Sequence, residues 1–93
     1  MRIPTHPGTV LAEEIEARGI SANRLALDLG VPASRIGEII RGQRGVSPET
    51  ALRLARCFGR SPTFWLNLQA AHDLGVAEQR YGDEIKRTVR TAA

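Results

Sequence analysis

Apolar residues recur along this chain three and four positions apart, in short bursts divided by Gly, Pro and Ser, a spacing that predicts helices from end to end. Alternating β-branched runs never persist, so no sheet is expected. Val10, Leu11 and Ile15 mark a first helix from about Thr9, its candidate cap, to Arg18, with Gly19 ending it. Ser21 caps a second helix whose Leu25, Ala26 and Leu29 share one face, and Gly30 stops it in the left-handed conformation that glycine adopts cheaply. Pro32 suits the first position of a third helix, where its missing N–H would have had no partner, and Gly42 closes that helix. Ser47-Pro48 and Ser61-Pro62 then repeat one start signal. The fourth helix runs to Phe58 with Ala51, Leu54, Ala55 and Phe58 inward; the fifth ends near Gly75. Beyond it the pattern is ambiguous. Asp83 to Val89 fits a helix or an edge strand, since both bring Ile85 and Val89 together, so residues 1–75 read as the domain and 76–93 as a tail.

The polar positions of the third helix are as informative as its apolar ones. Ile36, Ile39 and Ile40 form one buried stripe, which leaves Ser34, Glu38 and Arg41 opposite it and Arg35 and Gly37 on the flanks. Two helices joined by a turn of about three residues containing Gly, with Val31 plugging the angle, describe a helix-turn-helix, whose second helix enters the DNA major groove. Small Ala33, Ser34 and Gly37 let that helix sit deep against base edges, and Arg35, Arg41 and Arg44 reach bases or phosphates around it. Ser21, at the N-terminus of the second helix, suits a backbone phosphate; Arg24 and Gln43 add phosphate contacts that fix register without reading sequence. Glu38 would repel phosphates unless it accepts from cytosine or pairs with Arg35 or Arg41.

Charge follows the same segment. The net charge is +3, yet residues 1–17 set Arg2 against Glu13, Glu14 and Glu16. Residues 18–60 set eight arginines against Asp28, Glu38 and Glu49, and the remainder is neutral. Arg53, Arg56 and Arg60 read as ordinary solvated residues of the fourth helix and its end. At 93 residues the chain suits one domain, and no apolar run approaches the roughly 18 residues of a membrane span. The start MRIPTHPG lacks an apolar signal segment, so a cytoplasmic address is expected. A single cysteine, Cys57, excludes an internal disulfide and reads as a half-buried thiol. His6 and His72 lack further ligands at metal spacing, and no nucleophile stands beside a base. No metal, cofactor or catalytic residue is therefore expected, and an enzyme is not.

The fifth helix carries more apolar faces than a monomer needs. Phe64, Leu68 and Ala71 can complete the core, while Trp65 and Leu66 project elsewhere. Trp65, Leu66, Leu68 and His72 are thus candidates for a subunit interface, with burial of Trp65 beneath the 76–93 tail as the alternative. A two-fold homodimer would set two recognition helices about 34 Å apart and match a palindromic operator.

HPGTVLAEEIEARGIS and the following NRLALDLGVPASRIGEIIRGQRGVSPETALRLARCFGRSPTFWLNLQAAHDL resemble the HigA-type antitoxins, a branch of the phage-repressor-like helix-turn-helix regulators. The His-Pro-Gly opening and SPTFWLNLQ are the more specific segments. The resemblance implies an all-α, five-helix, lambda-repressor-like domain with a short C-terminal extension. It further implies a dimer that represses its own promoter and neutralises a HigB toxin, a RelE-like ribonuclease that cleaves mRNA. Ser34, Arg35, Glu38 and Arg41 fall on recognition-helix positions, Ser21 and Gln43 on backbone-contacting ones. Ala22 departs from the Gln common in the wider group, which removes one polar contact. Which surface meets the toxin does not follow from the resemblance; Glu13, Glu14 and Glu16 on the first helix offer either a landing place for a basic toxin or simply a solvated acidic face. A stand-alone phage or plasmid regulator, and an interaction module without DNA affinity, are the competing readings.

Overall fold

The computed structural model describes residues 2–92. Its regular elements are five α-helices: α1 (Pro7–Arg18), α2 (Ala22–Leu29), α3 (Ala33–Ile40), α4 (Pro48–Phe58) and α5 (Pro62–Thr88). Serine side chains start three of them as the sequence predicts. Ser21, Ser47 and Ser61 accept from the backbone N–H of Arg24, Thr50 and Phe64 at 3.0, 3.2 and 3.3 Å, satisfying donors that a helix N-terminus leaves unpaired. The first helix begins three residues earlier than its apolar pattern implies. His6, not Thr9, is its cap: His6 Nδ1 accepts the Gly8 N–H at 2.8 Å and Pro7 takes the first helical position. Pro32 is likewise one residue outside α3, with an extended ψ of 143°.

The turn between α2 and α3 depends on Gly30, whose φ of 72° is left-handed. Beyond it Ile36 and Ile39 are fully buried, joining Leu11, Leu25, Ala26, Leu29, Val46, Ala51, Leu54 and Trp65 in one core. Ile40, at the edge of the stripe, is only partly covered, as is Val31 in the turn. α3 packs against α1 and α2, and α4 against α2 and α5. At the far end of α3 the Gly42 N–H bonds to Ile39 O at 3.0 Å and the Gln43 N–H to Glu38 O at 2.8 Å, the paired closure of a Schellman motif.

Several expectations are corrected on α5 and beside it. The helix passes through Gly75 and continues to Thr88, 27 residues in all, so most of the predicted tail is helical. Gly75 is buried, and a Cβ there would lie 2.6 Å from Pro4 Cδ, so this glycine seats the N-terminal segment against the helix instead of ending it. Trp65, expected to face a second subunit, is wholly enclosed within the monomer. It stands edge-on to Phe64, with ring centroids 5.2 Å apart, and tilted over Phe58 at 6.3 Å. Residues 76–88 cannot be its cover, because they extend the same rod away from it. Ala71, expected inward, is exposed, and so is Cys57.

Candidate nucleic-acid interface

With Ile36 and Ile39 holding α3 to the core, its opposite side faces outward. Ala33, Ser34 and Arg41 are exposed there, while Arg35, Gly37 and Glu38 are partly covered. The side chains on this surface hold one another. Glu38 Oε1 pairs with Arg44 Nε at 3.0 Å, and Arg41 Nε donates to Gln43 Oε1 at 3.2 Å. The sequence spacing pointed Glu38 toward Arg35 or Arg41; the reversal after Gly42 brings Arg44 to it instead. Arg41 folds back along its own helix, so that its Nη1 would stand 3.0 Å from a Cβ at Gly37. Arg35 leans away toward α4, where its Nη1 lies 3.4 Å from Glu49 Oε1. These ion pairs are exposed to solvent, so each stabilises by about 0–1 kcal/mol and can be exchanged for a phosphate or a base edge.

At the start of α2, Ser21 is exposed with its hydroxyl oxygen engaged by the Arg24 N–H. Arg24 itself pairs with Asp28 one turn along, at 3.2 Å. The structure thus gathers Arg41, Gln43 and Arg44 at the end of α3 and leaves Arg24 and Arg35 tied to neighbours on either side.

Two contacts between elements brace the scaffold behind this surface. Arg53, expected to be solvated, reaches from α4 to α2. Its Nη1 donates to Leu29 O at 2.8 Å, closing the last turn of α2, and its Nη2 pairs with Glu49 at 3.3 Å. The pair with Glu49 is a helical i,i+4 neighbour contact, but the bond to Leu29 O spans 24 residues and has no local pattern. Gln69, on α5, accepts the Val46 N–H at 2.8 Å across 23 residues of sequence. No local pattern points to that contact. Arg60 is not free either: it bonds Glu14 Oε1 at 2.9 Å and lies over the Phe64 ring, 4.4 Å from its centroid.

The other expected sites divide. Leu66 and Leu68 are packed against the core, each partly covered. His72 Nδ1 lies 2.8 Å from Pro4 O, and its ring meets His6 edge-on at 4.9 Å. Burial, and then the charge of His72, hold the His6 pKa below its usual value, with Asp73 opposing them. On α1, Glu13 and Glu16 are exposed, but Glu14 is engaged by Arg60 and by Arg18 at 3.3 Å. Those bonds, Arg60's first, hold its carboxyl below the usual range against the opposing effect of burial. Apolar surface does remain on α5, farther along than expected: Leu74, Tyr81 and Ile85 are 60%, 46% and 51% exposed.

Residues 11–65 match the helix-turn-helix family HTH_3. The chain is similar to Virulence-associated protein I of Dichelobacter nodosus, 53% identical over 75 residues that make up 80% of this chain and 69% of that protein. Among solved structures it is similar to an addiction module antidote protein of the HigA family from Coxiella burnetii, with 45% identity, a TM-score of 0.93 and coverage of 99% of this chain and 100% of that one. It is also similar to antitoxin GraA in complex with its operator, with 48% identity, a TM-score of 0.93 and coverage of 100% and 94%.

Proposed function

Since the chain belongs to the helix-turn-helix family, and matches HigA-type antidote proteins along almost its whole length, we propose that it is an antitoxin that represses its own promoter as a homodimer and neutralises a HigB-like, mRNA-cleaving toxin. The observation that carries the DNA part is the outward side of α3. Ser34, Arg35, Glu38 and Arg41 lie on it, Gln43 and Arg44 come just after it, and exchangeable surface pairs hold its charges. Ala33 and Gly37 keep it low enough to approach base edges, while Ser21 and Arg24 meet the flanking phosphates. The mechanism is binding: Arg reads guanine through two parallel hydrogen bonds, and the phosphate contacts set register.

With Trp65 in the core, the second copy pairs through the exposed stripe on the distal half of α5, Leu74, Tyr81 and Ile85. Two α3 helices about one DNA turn apart then meet a palindromic operator. No described helix is long and apolar enough to cross a membrane, and the cytoplasm, where promoter and mRNA are met, is the compartment this reading implies.

Gel shifts on the DNA upstream of the coding sequence test the reading. Arg35→Ala weakens operator binding by roughly 5- to 150-fold, the equivalent of one lost bidentate contact, and weakens random DNA much less. Equal losses on both would count against base reading. Arg44→Ala weakens all sequences alike and reduces the salt slope by about one unit. For the antitoxin part, the product of the adjacent gene co-purifies with this protein and loses its mRNA cleavage in the complex. A neighbour that neither binds nor is inhibited would leave a regulator without a toxin.

A further inference from the structure

Gln69 stands on α5, outside the two helices of the DNA-facing surface, yet its side chain ends in the loop that joins α3 to α4. That loop carries Gln43 and Arg44. Its first half is held by the closure of α3, through the bonds from Gly42 and Gln43 back to Ile39 and Glu38. Its second half ends at Val46, which is buried and whose N–H donates to Gln69 Oε1 at 2.8 Å. The other end of the same amide is engaged as well, since Gln69 Nε2 donates to Asp73 Oδ1 at 2.9 Å. A backbone N–H demands the amide oxygen and a carboxylate demands the NH2, so the two partners fix which way the group points. Gly45 permits the approach: a Cβ there would lie 3.0 Å from both Cδ and Oε1 of Gln69.

We propose that Gln69 is a positioning residue for DNA binding, bracing the 42–46 loop from α5 so that Gln43 and Arg44 are presented to phosphates before the duplex arrives. The inference rests on the DNA-binding function proposed for α3. Its physical basis is preorganisation. A loop ordered in advance spends none of the binding energy on fixing its backbone, whereas a released loop must be ordered at each encounter. The exposed pair between Arg44 and Glu38 does not replace the brace, because both of its members move with the α3 end of the loop.

The full-length protein, Gln69→Met and the double variant Gln69→Glu/Asp73→Asn are titrated against upstream and random DNA over a salt series. Hydrogen exchange of the Val46 amide is followed in the free proteins. Methionine fills similar space but offers no oxygen. Exchange at Val46 should rise about tenfold, DNA affinity should fall about tenfold, and the salt slope should become shallower by about one phosphate contact. The double variant reverses donor and acceptor between the two side chains, keeps an oxygen facing Val46 and leaves net charge unchanged; it should recover both exchange and slope. A salt slope equal to wild type in Gln69→Met, despite faster exchange at Val46, overturns the inference while the DNA-binding function stands. So does a double variant that regains slow exchange without regaining the slope. A wild-type protein that retards neither DNA overturns both.

Discussion

Gly37 is the residue whose cost and use are most evenly matched. In the middle of a helix, glycine destabilises by roughly 0.5–1 kcal/mol relative to alanine. A Cβ at Gly37 would meet only the far end of the Arg41 side chain, which can swing aside. Gly37→Ala should therefore raise the melting temperature by a few degrees and, because α3 then stands higher off the base edges, weaken operator binding several-fold. Thermal denaturation and a DNA titration read the two effects; a stabler protein with unchanged affinity would show that the groove does not approach this position. The outward placement of Ser34 and Arg41 was legible from three isoleucines alone, because a single stripe on a short helix defines its own opposite side. Trp65 was not legible. Its direction around α5 was clear, but whether that direction met solvent or core depended on how α4 crosses α5, which no single-helix pattern contains. Arg53 failed for the same reason, since its partner, Leu29 O, lies on another helix.

At the scale of elements, starts were easier to read than ends. Three Ser caps announced their helices because a cap is a local bond, complete within four residues. Gly75 misled because glycine has two uses, and only the approach of Pro4, 71 residues earlier in the chain, tells a seat from a stop. The joint between α2 and α4 offers a test at this scale. Arg53→Met keeps the aliphatic stem but removes the donor to Leu29 O, and should cost about 1 kcal/mol, given that the guanidinium is partly exposed. A lower urea midpoint with an unchanged slope would show it. Because α3 keeps its own seat on Ile36 and Ile39, the salt dependence of DNA binding should not change.

The whole molecule measures 52 × 22 × 21 Å, its length drawn out by α5. Ile85→Glu, on the exposed stripe, should turn the proposed dimer into monomers in sedimentation without unfolding the protomer. An unchanged dimer would remove the distal half of α5 from the interface. Acid should loosen the start of α1. His6 Nδ1 accepts the Gly8 N–H, and its pKa is lowered from 6.5 by burial and by His72, with Asp73 opposing. A base with a depressed folded pKa contributes stability above its unfolded value and loses it as the pH falls through the folded one. Stability should thus decline from about pH 6.5 downward. His6→Asn, which can still cap without titrating there, should flatten that decline. A later loss, below about pH 4.5, belongs to Glu14, whose lowered pKa favours the folded state only while it is ionised.

Because α5 runs unbroken past Gly75 to Thr88, its far half behaves as a graduated shaft. Each residue added to an α-helix pushes the rest of the rod outward by about 1.5 Å and rotates it by about 100°. A one-residue insertion between Gly75 and Tyr81 would swing Ile85 more than a quarter-turn from its azimuth, whereas removing four would nearly restore the azimuth and shorten the reach by about 6 Å. In a dimer paired through this stripe, as proposed above, lengthening or trimming here should be tolerated only in whole-turn steps, each demanding a matching change in the distance between the two halves of the DNA site.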